Sequence, residues 1–154
     1  MEQATEKRKS KKPAVIGFYG YSDSGKTSLI ERVIKQLKEE GYKVAAVKVS
    51  RHAVSLDQPG KDSWRYAQAG AGVVMLSSQN ETDFMVNGAM EEKEILRVVS
   101  DLSKPDVILI EGSQDATVRK IRLGDIEMRE NTIWMYDGVY EHLMKLIHEE
   151  IQKE

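Results

Sequence analysis

Cysteine is absent from the 154 residues, which excludes disulfides, thiolate catalysis and cysteine-ligated metal clusters. Histidine is scarce, and His142 and His148 do not share a helix face at i, i+4, so the pattern of a helical zinc pair is missing. No apolar run approaches the ~18 residues that a membrane span needs. No surplus of positive charge exists either: the net charge is -2, which gives no reason to expect nucleic-acid binding. Residues 1–12 carry Lys7, Arg8, Lys9, Lys11 and Lys12 and lack the apolar centre of a signal peptide. They are expected to form a solvated, disordered basic tail, with a basic arm for an acidic partner or nucleotide as the alternative. Nothing directs the chain out of the cytoplasm.

What is present describes an ordinary globular chain, 40% apolar and 31% charged. Residues 13–154 suit a single domain with a sizeable core.

One stretch dominates: Gly20, Tyr21, Ser22, Asp23, Ser24, Gly25, Lys26, Thr27 and Ser28. It reads G-x-x-x-x-G-K-T, the phosphate-binding loop. A short apolar run (Ala14, Val15, Ile16, Gly17, Phe18, Tyr19) precedes it, and Leu29, Ile30, Val33, Ile34 and Leu37 follow at helical spacing. The loop therefore joins a strand to a helix, the context that the motif requires. Gly20 and Gly25 let backbone N–H groups approach a phosphate, and the helix start adds unpaired N–H groups and partial positive charge. Lys26 can reach the β- and γ-phosphates, and the Thr27 hydroxyl can coordinate Mg²⁺.

A helix is expected to about residue 40, then a strand over 42–49 that is almost continuously apolar, implying a parallel sheet covered on both faces. That strand delivers Lys48 to the edge where ligands bind in open α/β sheets. Residues 50–63 are polar and turn-rich, a loop long enough to act as a switch or lid. Within it Asp57 is a candidate Mg²⁺ or water-positioning group, or a turn former. Asp62, followed by Ser63, Trp64 and Arg65, reads as a helix cap. Arg51, His52, Lys61 and Arg65 are candidate phosphate contacts or a solvated face. A third strand is expected over 72–77, a further one over Thr82–Val86, and an amphipathic helix over 91–102.

The second informative stretch is Asp106, Val107, Ile108, Leu109, Ile110, Glu111, Gly112. A buried strand ending in a carboxylate beside a phosphate loop is the Walker B arrangement, so Glu111 is a candidate for Mg²⁺ or water activation. Two other patterns fail on context. Gly70-Ala71-Gly72 precedes a strand instead of following one, and Ser103-Lys104-Pro105-Asp106 enters a strand where a guanine-reading motif would leave one. The residues by themselves therefore leave the base preference open. Residues 118–123 alternate basic and apolar side chains, read as a half-buried strand near the sheet's edge. Residues 132–136 read as the last strand, followed by a helix with Tyr140, Leu143, Met144, Ile147 and Ile151 on its apolar side.

The phosphate loop, the segment Asp57-x-Pro59-Gly60-Lys61-Asp62-Ser63-Trp64-Arg65, Ala69-Gly70-Ala71 and the strand ending Glu111-Gly112 occur in an order that resembles the MobB family of P-loop proteins. The resemblance covers roughly residues 15–112. It implies GTP binding with weak hydrolysis, a homodimer, and assistance to a MobA-like guanylyltransferase that attaches GMP to molybdopterin. Ser113-Gln114 stands where the family usually has Phe-Lys.

The expectation is therefore an α/β, three-layer P-loop NTPase-like domain with a mostly parallel sheet. Gly20, Ser22, Asp23, Ser24, Gly25, Lys26, Thr27 and Ser28 would bind nucleotide, and Lys26 and Glu111 would carry any catalysis, at most weak GTP hydrolysis. Thr27, Glu111 and Asp57 are the candidate metal ligands. Lys48, Asp57, Gly60, Lys61, Asp62, Ser63 and Arg65 form the phosphate-side or switch set. Two alternatives stand beside it: an ATP-dependent small-metabolite kinase using Lys48, Arg65 and Arg119 around its acceptor, and a non-catalytic adaptor gated by nucleotide.

Overall fold

The computed structural model describes residues 11–153. The basic tail is expected over residues 1–12, and residues 1–10 of it lie outside the described residues. The described residues divide into two compact units, one of residues 11–49 and 92–153 and the other of 50–91.

The first unit holds β1 (Ala14–Gly20), α1 (Lys26–Glu39), β2 (Val44–Lys48), α3 (Glu92–Ser103), β5 (Val107–Glu111), β6 (Arg119–Leu123), β7 (Thr132–Met135) and α4 (Tyr140–Gln152). The second holds α2 (Asp62–Gln68), β3 (Val73–Ser77) and β4 (Thr82–Val86). The five strands of the first unit form a parallel sheet in the order β2-β5-β1-β6-β7. All of them present their carboxyl ends at one edge, the edge that carries the phosphate loop.

Parity decides which side chains meet which helix. Ile16, Phe18, Val107, Leu109, Ile121 and Leu123 point to one face and pack against Ile30, Val33 and Leu37 of α1 and Leu143, Met144 and Ile147 of α4. Each such buried aliphatic contributes about 1.5–3 kcal/mol relative to exposure. On the opposite face Tyr19, Ile108 and Ile110 are also fully buried. The crossover through α1 runs from β1 outward to β2, and the one through α3 returns from β2 to β5. Crossovers of this kind are right-handed as a rule, which puts α1 and α3 on opposite faces. The layered α/β arrangement expected from the sequence is thus observed.

Two local expectations are corrected. The strand of residues 118–123 does lie next to the edge strand, β7, but it is mostly buried where half-burial was expected. Its basic residues misled, since Lys120 is fully buried. The ammonium donates to the carbonyls of Val118 (2.8 Å), Glu130 (2.9 Å) and Asp115, and the stem lies over Gly17. Three carbonyl acceptors satisfy the charge that burial would otherwise penalise, although burial still pushes its pKa below the ordinary lysine range. Conversely β2, read as covered on both faces, is the opposite edge strand and is only half-buried.

In the second unit β3 and β4 form an antiparallel hairpin with Val73 opposite Val86 and Met75 opposite Phe84. These four residues share one face and are each about half exposed or more. Helix α2 runs beside β3. Asp62 does not cap it: Lys61 is the capping residue, no side chain bonds the helix start, and Asp62 occupies the first helical position.

Candidate functional site

The phosphate loop emerges from β1 at the carboxyl edge and turns directly into α1. Two left-handed residues flanking Ser24 shape it: Asp23 has φ 61° and Gly25 has φ 83°. Left-handed residues bring successive N–H groups to one side, the concave arrangement that suits an anion. Asp is among the few side chains that tolerate this region. Ser24 N donates to Tyr21 O at 3.2 Å and tightens the turn. Ser22, Asp23, Ser24, Thr27 and Ser28 are all exposed. Lys26 Nζ donates to Gly20 O at 2.9 Å and Tyr21 O at 2.6 Å, so its ammonium is folded back over the loop it would serve.

Glu111 ends β5, one strand from β1, and its backbone is held from both sides. Gly112 N donates to Phe18 O at 3.0 Å, and Val49 N donates to Glu111 O at 2.9 Å. The side chain is mostly buried, and Lys48, its register partner on β2, brings Nζ to 3.9 Å from the carboxylate. Thr27, Lys48 and Glu111 line one cleft of about 450 Å³ floored by Ile30, Ile34, Ala46 and Leu109. Three residues chosen separately from sequence thus meet in one place. A hydroxyl and one carboxylate match Mg²⁺, which usually takes one or two carboxylates and fills its other positions with phosphate and water. Among the described residues no cluster of three or more acidic or histidine side chains could cage a metal by itself.

The remaining candidates belong to the second unit. Asp57 accepts hydrogen bonds from Ser63 Oγ at 3.0 Å and from Gln58 N at 3.0 Å, so its carboxylate ties the two ends of the 57–63 segment. Lys61 N donates to Gln58 O at 3.3 Å, Gly60 lies within that turn, and Lys61 and Arg65 are exposed.

Arg119, the third cation of the kinase alternative, is at the wrong edge. It begins β6 opposite Ile16, four residues before Gly20, and makes a two-pronged contact with Glu150 at 2.8 and 3.0 Å. It joins α4 to the sheet and is not an acceptor-side group. A lone basic residue at a strand start gave no signal of this, because its partner lies on a distant helix. A larger cavity of about 670 Å³ between α1 and α4 includes Arg32, Tyr140 and His148, but none of the phosphate-loop or Glu111 side chains line it.

The family model described as Molybdopterin guanine dinucleotide synthesis protein B matches residues 15–146. A Haemophilus influenzae molybdopterin-guanine dinucleotide biosynthesis adapter protein is 34% identical over 74% of this chain and 65% of its own length. A Methanocaldococcus jannaschii protein, provisionally described in the same words, is 39% identical over 68% of this chain and 43% of its own length. The match thus spans less than two thirds of either curated relative. The crystal structure of Bacillus subtilis MobB superposes with a TM-score of 0.71 at 19% identity, covering 92% of this chain and 99% of that one, a likeness of fold. Among the described residues no helix is long and apolar enough to cross a membrane.

Proposed function

The chain belongs to the MobB family, and on that premise we propose that it is a GTP-binding adapter in molybdopterin guanine dinucleotide biosynthesis, with at most weak GTP hydrolysis. The observation that carries the proposal is the meeting of Thr27, Lys48 and Glu111 in the cleft beside a complete phosphate loop. Gly20 to Ser28 hold the phosphates through backbone N–H groups, and Lys26 swings from its loop carbonyls to the β- and γ-oxygens. Thr27 and Glu111 are the groups that would hold Mg²⁺, which supplies charge neutralisation at the terminal phosphates. Glu111, mostly buried yet facing the cleft, is also the group placed to orient an attacking water. The Asp57–Ser63 segment, with Lys61, Asp62 and Arg65, is the part proposed to respond to nucleotide.

The partner is a MobA-like guanylyltransferase, as the adapter names of the relatives suggest, and the setting is cytoplasmic. A homodimer is supported by the hairpin, whose Val73, Met75, Phe84 and Val86 present an apolar face to solvent. The kinase alternative is disfavoured by Arg119's engagement with Glu150.

Calorimetric titration of GTP and ATP with Mg²⁺ into the wild type and Lys26→Ala is the test. Removing charge-assisted hydrogen bonds should weaken GTP binding by roughly tenfold or more. Tight GTP, weak ATP and GTP-dependent capture of the guanylyltransferase are the expected results. Capture that persists with a non-hydrolysable analogue would make turnover dispensable; no GTP binding would overturn the proposal.

A further inference from the structure

We propose that Arg129 is a positioning residue for Glu111: it locks the turn that follows this carboxylate onto the strand that feeds the phosphate loop. The inference rests on the reading of Glu111 as a Mg²⁺ group and adds the side chain that sets where it stands.

The topology creates the need. Strand β5 ends at Glu111 and β6 begins at Arg119, with β1 between them in the sheet. A connection between parallel strands usually takes about a dozen residues or more and carries a helix. Residues 112–118 make this one without a helix. They lie directly on β1, where a Cβ on Gly17 would stand only 3.2 Å from Val118 Cγ1. Side chains hold what a helix would otherwise hold. Lys120 takes the carbonyls of Asp115 and Val118 at the far end. At the near end, beside Glu111, the donor is Arg129.

Arg129 reaches two partners at once. Its Nη1 donates to Ser113 O at 3.1 Å, and its guanidinium carbon lies 4.8 Å from the centre of the Tyr19 ring, within cation–π range. Ser113 is buried just past the Glu111-Gly112 pair, and Tyr19 is buried immediately before Gly20. The tyrosine is itself fixed. Arg129 N donates to Tyr19 Oη at 3.1 Å, and Thr132 Oγ1, 2.6 Å from the same Oη, donates to Arg129 O at 2.6 Å. Backbone bonds hold the other side of the turn, from Gly112 N to Phe18 O and from Val49 N to Glu111 O. Beyond it Gln114 N donates to the Glu92 carboxylate at 3.0 Å. Gly112, with φ 88°, is the conformationally permissive link between Glu111 and the Arg129 contact. Mg²⁺ demands near-ideal octahedral geometry, so a carboxylate on a loosened turn holds it less well.

The test is titration of GTP, with Mg²⁺ and in EDTA, into full-length wild type, Arg129→Met, Glu111→Gln and the double variant. Arg129→Met, checked for folding by its thermal transition, should lose roughly tenfold of the Mg²⁺-dependent gain in GTP affinity, as loss of an outer-shell support does. Its affinity in EDTA should match wild type. In the Glu111→Gln background Arg129→Met should cost no further Mg²⁺ gain, because it acts through that carboxylate. Arg129→Lys keeps the charge and a donor without the planar fork, so it should lose about threefold, and it carries the same comparison if the methionine variant does not fold. Equal losses with and without Mg²⁺, an undiminished gain, or a further loss in the double variant would overturn the inference and leave the metal reading of Glu111 intact. A wild type without any Mg²⁺ gain, or a full gain in Glu111→Gln, would sink that reading and this one together.

Discussion

Lys48 and Glu111 are register partners at the carboxyl ends of β2 and β5, their charged groups 3.9 Å apart, with the lysine mostly exposed and the glutamate mostly buried. An exposed ammonium at that distance contributes little to stability, about 0–1 kcal/mol. Its interest lies in the carboxylate that it neighbours.

Glu111→Gln removes the charge and keeps the shape. The Mg²⁺-dependent gain in GTP affinity should shrink by roughly tenfold, while affinity in EDTA stays within about twofold of wild type. Hydrolysis should fall to background. Paired titrations with and without Mg²⁺ check this, and an unchanged Mg²⁺ gain would remove Glu111 from the metal site.

Gly20→Ala places its Cβ 2.6 Å from Leu123 O, and Gly112→Ala places its Cβ 2.5 Å from Val49 O at a φ of 88°. Both obstacles are backbone atoms, one in β6 and one just past the end of β2, so neither can rotate aside. Each variant should lose about 1–3 kcal/mol in urea unfolding. Gly20→Ala should also lose nucleotide binding, because the loop moves with it.

Glu150 is held by Arg119 and Lys153. Burial is the largest influence and raises its pKa, but the bonds from Lys153 and Arg119 outweigh it and leave the carboxyl below its ordinary value. A depressed folded pKa gives stability that is present above the unfolded value and lost as pH falls through the folded one. Wild type should therefore exceed Glu150→Gln by about 1–2 kcal/mol at pH 7, a figure reduced because Arg119 is partly exposed. The gap should close below the ordinary glutamate pKa of 4.5. Chemical denaturation across pH 3–7 would show a constant gap if the pair were inert.

Phe84→Glu puts a charge on the exposed hairpin face where Phe84 opposes Met75. Sedimentation velocity should find a dimer for the wild type and a monomer for the variant, with α/β circular dichroism retained. A monomeric wild type would end the dimer proposal.

How much was legible in the sequence differs from site to site. The phosphate loop could be read because its chemistry is local: a strand, two glycines, Lys26 and Thr27 lie within one short stretch. The β5 strand was legible for the same reason, as an unbroken apolar run leaves one arrangement for the Glu111 that ends it. Lys120 was not legible. A lysine in an alternating strand reads as solvent-facing, and only loops from 115–118 and 130 supply the carbonyls that allow it inside. Asp62 shows the same limit at short range, since its neighbour Lys61 took the capping position without a side-chain bond.

By itself the sequence determined the elements, the phosphate loop and the acid that stands at a strand end, because periodicity and loop chemistry act over a few residues. Only the tertiary structure decided which strands lie beside the loop. Strand order depends on crossovers between distant segments, and it put Lys48 against Glu111, Leu123 against Gly20, and Arg119 at the far edge against Glu150.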